Sequence, residues 1–263
     1  MSDIFRQITE LSAAQQPAAF CVIVSANGST PRGAGTKMLV FPDGRISGTV
    51  GGGELEQRVI EAGLQAIESG EPQVVAYSMT DPERGDPGVC GGQLEVYVEP
   101  LLPPPTVIVV GAGHVGKQVA LLAKWLGYAV VVSDDRPELL ADPELADAGR
   151  LFNGAAGSLP EEIKIHSQSY IVLTTRNVEV DLVALPPLLA AKPAYIGVIG
   201  SRRRWETTKA GLLEAGVSPE QIASIYSPVG LELQGETPEE IALSIMAQIT
   251  MLRHGGDGRQ MAK

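Results

Sequence analysis

The chain has 263 residues, 44% of them hydrophobic and 19% charged, and its 20 Lys and Arg face 31 Asp and Glu for a formal net charge of −11. This is the make-up of a globular chain long enough for two ordinary domains, and its acidity excludes nonspecific binding to nucleic-acid phosphates. Cys21 and Cys90 give neither a disulfide framework nor a structural zinc pattern, and the polar start MSDIFRQITE and the lack of any run of about 18 apolar residues make a cytoplasmic chain with no membrane partner the expectation.

The elements follow in chain order. Residues 3–15 predict a short amphipathic helix through Ile4, Ile8 and Leu11. Strands are expected at 20–25, 36–41 and 45–49, the last two joined by the turn Pro42-Asp43-Gly44. Leu55, Val59, Gly63 and Ile67 stand at four-residue steps, which predicts a helix over 54–69 closed by Gly70. Strands at 74–78 and 94–99 complete this half, with an exposed loop at 80–92 between them. The proline run that follows favours an extended conformation and sets a boundary: a mixed α/β domain over 1–100, a linker at 101–105 and a second domain over 106–263.

Beyond the linker the rhythm becomes strand–helix alternation, the pattern of a Rossmann-like parallel sheet. Strands are expected at 106–110, 129–133, 170–174, 194–199 and 223–226. A helix over 113–126 puts Val115, Val119, Leu122 and Leu126 on one stripe, with Gly127 ending it. Ser218-Pro219-Glu220-Gln221 and Thr237-Pro238-Glu239-Glu240 read as capping boxes, and the second opens a long helix aligning Ile241, Ile245, Ile249 and Leu252.

The chemistry-bearing motifs sit at strand ends. Gly111-Ala112-Gly113-His114-Val115-Gly116 follows an all-apolar strand and opens a helix, the context in which a G-x-G-x-x-G run holds a nucleotide or pterin phosphate. Gly111 serves the turn, Gly113 the approach of phosphate and Gly116 the packing of helix on strand, and Asp134 stands where a carboxylate takes a ribose hydroxyl. His114 is as well placed for solvent as for a ligand. Gly197 to Arg204 ends another strand, where Ser201 and one or two arginines, Arg202 among them, would clamp an anion. Thr175 and Arg176 would face the same crevice, with Asp181 either beside them or an ordinary helix-start charge. In the first half, the loop Gly28–Gly35, with Arg32, Gly33 and Gly35, suits an oxyanion. Gly51-Gly52-Gly53 repeats the logic of free amides at a helix start, with Glu54 opposing a bare phosphate unless it caps the helix or meets a metal-bound group. Cys90 in its glycine loop is a soft ligand or an inert thiol, and Cys21 is core filling.

Taken together, GSTPRGAGTKMLV (28–40), GTVGGGELE (48–56), CGG (90–92), VVGAGHVG (109–116), YIGVIGSRRR (195–204) and PVGLELQGETPEEIALSI (228–245) resemble the xanthine dehydrogenase accessory protein family, XdhC/CoxI. The resemblance implies a non-enzymatic maturation factor. It would bind the molybdenum cofactor, a molybdopterin with or without a nucleotide tail, and protect it while a cysteine desulfurase-like protein adds the sulfido ligand. It would then deliver the cofactor to a molybdenum hydroxylase apoenzyme. Carried over, Gly33, Gly35, Gly52, Gly53, Glu54 and Cys90 belong to the first-half motifs, Cys90 as the metal contact. Gly111, Gly113, Gly116, Ser201 and Arg202 belong to the second. A homo-oligomer is expected, and a hinged pair of domains would bury a labile ligand and reopen. The family pattern T-R-x-H-x-x-D has Val178 in place of its histidine, so a role needing that imidazole lacks its residue here. The alternatives are an NAD(P)-dependent oxidoreductase and a nucleotide-sensing module.

Overall fold

The computed structural model describes residues 4–79 and 91–261. The chain forms two compact units, Met1–Pro103 and Pro104–Lys263.

In the first unit, α1 (Ile4–Ala13) precedes β1 (Ala18–Asn27), β2 (Lys37–Val40) and β3 (Ile46–Gly48), then α2 (Gly53–Ser69), β4 (Gln73–Ser78) and β5 (Gln93–Leu101). The strands pair antiparallel in the order β3-β2-β1-β5-β4. Alternation along β1 sends Ala19, Cys21 and Ile23 to the face covered by Leu55, Val59 and Ala66 of α2. The opposite face takes Ala18 and Leu39 against Ile4 and Leu11 of α1. Burial pushes the Cys21 thiol up to about 12, as suits a core filler. Gly70 closes α2 in the left-handed region, its N–H donating to Ala66 O. β5 runs on through Pro100 to Leu101, past the start of the proline run. Its pairing with β4 ends at Val98, so Pro100 lies on a local edge where a missing N–H is tolerated.

The second unit runs β6 (Thr106–Val110), α3 (His114–Trp125), β7 (Ala129–Asp134), α4 (Pro137–Leu140), α5 (Pro143–Ala148), β8 (Arg150–Asn153), a 3₁₀ turn at Ala156–Ser158, α6 (Leu159–Glu162) and β9 (Ser169–Leu173). It continues with α7 (Val178–Ala190), β10 (Tyr195–Val198), α8 (Arg202–Glu214), α9 (Pro219–Ala223), β11 (Ile225–Tyr226) and α10 (Pro238–Arg253). All strand pairs are parallel, in the order β8-β7-β6-β9-β10-β11. Every residue of β6 is buried, as a central parallel strand covered on both faces must be. Val107 and Val109 pack with α3 and α10, whereas Ile108 and Val110 pack with α7. The chain leaves β6 toward β7 on one side and returns to β9 on the other, so the strand order reverses at the end of β6, where open α/β sheets hold their ligands.

Both capping boxes form, at Ser218 and Thr237. The stripe on α3 follows its spacing up to the last position: Val119, Ala120 and Ala123 are buried and Val115 and Leu122 pack half-buried against the same core, whereas Leu126 is exposed because the helix has ended before it. Leu252, at the end of α10, is likewise left at the surface. Among the described residues, no helix is long and apolar enough to cross a membrane.

Candidate functional site

The turn after β6 explains two of its three glycines from the protein alone. Gly111 has φ +111°, and a Cβ there would stand 2.7 Å from Thr174 O. Its N–H donates to Ser133 O at 2.7 Å, locking the turn to β7. A Cβ on Gly116 would lie 1.9 Å from Gly111 O, so helix and strand meet only because none is there. Gly113 is different. Its φ is −68°, open to any residue, and no atom lies within 4 Å of where its Cβ would be. It is the N-cap of α3 with no side-chain cap, and the first turn holds no acidic residue. The first-turn amides of α3 therefore face outward with the positive end of the helix dipole. Packing accounts for Gly111 and Gly116 but not for Gly113. His114, the first helical residue, is exposed.

Asp134, at the end of β7, is 5% exposed. Its Oδ2 accepts the Ala112 N–H at 2.7 Å and Arg136 Nη2 at 2.9 Å, and its Oδ1 accepts Arg136 N at 3.0 Å and Nε at 2.9 Å. Burial pushes this carboxyl up, but the Arg136 fork and the Ala112 amide outweigh it and hold it below its ordinary value. Asp135 beside it forms a bidentate pair with Arg176, at 2.7 and 2.8 Å, which keeps it down at about 2. That pair joins the end of β7 to the loop after β9, on either side of β6. Beneath it lies a cavity of about 330 Å³, walled by Val110, Ala155, Ala156, Val180 and Val183.

The loop after β9 is tied down from below. Asp181 is fully buried and accepts from the Thr175 hydroxyl and from Arg204 Nη2 at 2.6 Å. Arg204 also donates to Thr175 O at 3.0 Å and Asn177 O at 3.1 Å. Burial raises the Asp181 carboxyl, and the bonds from Thr175 and Arg204 oppose that rise. Asp181 is therefore a buried partner of Arg204 rather than an ordinary helix-start charge. Of the three adjacent arginines, Arg204 braces this loop, while Arg202 and Arg203 are exposed. The Ser201 hydroxyl caps α8 by accepting the Arg204 N–H. Thr175 and Arg176 line the cavity beside Gly111 and Asp134, whereas Ser201 and Arg202 do not. Val178 stands at the start of α7, half-buried.

In the first unit, Gly33 and Gly35 lie in an exposed loop. Gly52 and Gly53 have φ of +79° and +64°, so the backbone alone demands glycine there. The amides before α2 are not free as the glycine run suggests. Glu56 Oε2 accepts from the Thr49 hydroxyl, from Val50 N at 3.2 Å and from Gly52 N at 3.4 Å. Glu54 pairs instead with Arg58 and accepts the Tyr77 hydroxyl at 3.4 Å. Cys90, the expected metal contact, lies outside the described residues. Among those described, no group of three or more His, Cys, Asp or Glu is placed to hold a metal.

Glu56, Ser133, Asp135, Arg136 and the apolar cavity wall are not readable as site residues from local sequence. Glu56 does sit in the first turn of α2, four residues after the N-cap Gly52 and one beyond the capping-box position, from which its carboxylate still folds back onto the helix start. Val180 and Val183 carry no signal beyond helical spacing.

A family model described as the XdhC Rossmann domain matches residues 107–249, more than half of the chain, and one described as the XdhC and CoxI family matches residues 11–78. The uncharacterized protein YqeB of Escherichia coli (strain K12) is 34% identical over 267 residues, covering 99% of this chain and 48% of YqeB. A probable xanthine dehydrogenase subunit of Bacillus subtilis (strain 168) is 31% identical over 158 residues, 60% of this chain and 46% of the relative. The chain thus spans about half the length of these two relatives. The molybdenum cofactor insertion chaperone PaoD of Escherichia coli (strain K12) is 24% identical over 279 residues, 95% of this chain and 88% of PaoD. A crystal structure described as a xanthine dehydrogenase from Bacillus halodurans has the same fold, with a TM-score of 0.52 at 22% identity over 100% of this chain and 98% of its own.

Proposed function

The chain belongs to the XdhC and CoxI family, and from that premise we propose that it carries the molybdenum cofactor as cargo. It holds the cofactor while a cysteine desulfurase-like partner adds the terminal sulfido ligand, and it hands the product to the apo form of a xanthine dehydrogenase-type molybdenum hydroxylase. The observation that carries this reading is the open, uncapped start of α3 at Gly113, a seat for an anionic tail that the protein's own packing does not explain. The similarity to PaoD along most of both chains supports it. The cofactor's phosphate or nucleotide tail is assigned to the amides of α3, and a soft thiolate such as that of Cys90 suits molybdenum by its chemistry. Transfer needs binding that is firm yet reversible, which several modest contacts supply better than a closed cage.

The chain purified from cells that make the cofactor should contain molybdenum by elemental analysis and a pterin by fluorescence, and should draw a molybdenum hydroxylase and a desulfurase from the lysate. Cys90→Ser should lower the molybdenum content without changing nucleotide affinity. Protein that retains neither metal nor pterin, under conditions where the hydroxylase matures, would overturn the reading. The cavity at the ends of β6, β7 and β9 favours a second reading, a nucleotide-sensing module, in which nucleotide binds without pterin or metal. Substrate-dependent NADH formation would instead mark an oxidoreductase.

A further inference from the structure

The first unit leaves one sheet edge without the usual protection. An exposed edge strand is a template for pairing with another chain, and folded proteins blunt such edges by shortness, charge, proline or a bulge. β3, the opposite edge of the same sheet, has three residues, and the edges of the second sheet have four in β8, opening on Arg150, and two in β11. β4 has six, Gln73-Val74-Val75-Ala76-Tyr77-Ser78, with no charge and no proline, and it pairs with β5 in one unbroken register. The ladder to β5 sets which groups stay open. Met79 N–H donates to Gly92 O at 2.9 Å, one step past the Ser78–Gln93 pair, so the residues of that parity, Gln73, Val75 and Tyr77, bond to β5. Val74 and Ala76 therefore turn their N–H and C=O groups to the open edge, where no described residue meets them. Their side chains lie on the face away from α2, where Val74 is 62% exposed and ends a row with Tyr97 and Val22. Val75, on the α2 face, is only half-buried against the core.

We propose that β4 is a self-association edge whose occupant is β4 of a second copy of this chain, antiparallel about a two-fold axis at Val75. In that register Val74 of one copy stands opposite Ala76 of the other. Each such pair exchanges two backbone hydrogen bonds, so the open groups of Val74 and Ala76 in both copies are satisfied. Val75 meets its own copy across the axis in a non-hydrogen-bonded pair, where side chains lie closest, and this covers what the core leaves exposed. Moving the axis to Val74 would set Pro72, which has no N–H, opposite Ala76. The strand suits its own copy because no charge on it meets its like, in a chain whose net charge of −11 otherwise sets two copies against each other. Six residues a side fall well short of the roughly 20–30 of a standard interface, so the dimer is weak and forms with concentration. The inference concerns β4 alone and does not depend on the carrier reading.

Sedimentation equilibrium on the full chain tests the association. The parent should pass from monomer to dimer as concentration rises, whatever its metal or pterin content. Ala76→Pro removes an N–H that β5 does not use, and dimerisation should weaken by about tenfold or more while the monomer keeps its urea midpoint. Crosslinking tests the register in a Cys90→Ser background. Val75→Cys should give a disulfide-linked dimer under mild oxidation, because the two residues of a non-hydrogen-bonded pair stand about 4.5 Å apart at Cα. Val74→Cys should not, since its copy lies on the diagonal, about 7–8 Å away and beyond the reach of a disulfide. If Ala76→Pro lowers the urea midpoint, the crosslinking pair decides alone. A parent that stays monomeric at every concentration, a dimer that a folded Ala76→Pro leaves intact, or crosslinking that does not favour Val75→Cys over Val74→Cys overturns the inference. Capture of the hydroxylase by a monomeric parent, lost in Ala76→Pro, would give the edge to a foreign strand and overturn it as well.

Discussion

Two helix starts in this chain look alike in sequence and differ in what they leave open. α2 follows Gly51-Gly52-Gly53 and α3 follows Gly111-Ala112-Gly113. Before α2, positive φ at Gly52 and Gly53 explains the glycines, and Glu56 turns its carboxylate onto the Val50 and Gly52 amides and the Thr49 hydroxyl. That start carries its own anion. Before α3, Asp134 takes only the Ala112 amide, while Gly113 has ordinary φ, no neighbour and no cap. A glycine run at a helix start therefore does not mark an anion site by itself. What distinguishes the two is whether the glycine answers a need of the backbone and whether a local carboxylate has already reached the amides.

The contrast predicts its largest effect at Gly113. Gly113→Asp puts a carboxylate where the phosphate would lodge, and binding of a phosphate-bearing ligand should fall on the order of 100-fold, about 3 kcal/mol. The fold should persist, because the position has negative φ and open space. Unchanged affinity in titration calorimetry would reject the α3 start as the site. The effects before α2 fall on stability instead. Glu56→Ala strips partners from part-buried donors and should cost about 1–3 kcal/mol in urea unfolding. If it left stability untouched and raised phosphate affinity, the α2 start would be an anion site too, and the distinction would collapse.

The same pair shows what the sequence can and cannot reveal. The parallel sheet, the Gly111–Gly116 turn and both capping boxes follow from local patterns, which residues close in sequence decide. α7 does not read as a helix, because Pro186 and Pro187 look like breakers and its apolar residues surround the axis instead of forming a stripe. Burial of Leu185, Leu188 and Leu189 against the sheet holds it together. The pairing of Arg204 with Asp181, 23 residues apart, and of Arg176 with Asp135, 41 apart, depends on which strand ends meet. Three adjacent arginines give no hint which one is drawn inward. The open edge of β4 becomes visible only once its place in the sheet is known.

A gentler test compares the glycines directly. Gly52→Ala forces a side chain into a backbone region that is nearly glycine-only, φ 79° and ψ −177°, and should cost about 1–3 kcal/mol. Gly113→Ala should stay within about 0.5 kcal/mol of the parent, the range of an ordinary surface change. Equal losses at the two positions in thermal unfolding would mean that Gly113, too, is there for the backbone.

The smallest effect is in acid, where the open start and its rim should respond unlike the buried brace below them. Hydrogen bonds from Arg176 lower the folded Asp135 carboxyl from 3.8 to about 2. A depressed carboxylate stabilises the folded chain above its unfolded value, and that contribution fades as pH falls from about 4 toward 2. Asp134, also held low, acts in the same direction. Asp181 acts in the opposite sense: burial raises its carboxyl, so its protonation in acid favours the folded state and part of the burial penalty is relieved. Arg176→Ala removes the main cause of the Asp135 shift and leaves Asp181 as it was. The urea midpoint of the variant should therefore fall less than that of the parent between about pH 5 and pH 2, by a small margin because the pair is half exposed. Parallel acid limbs for parent and variant would mean that the Asp135–Arg176 pair is not populated in solution, and that the cavity stands open at its rim.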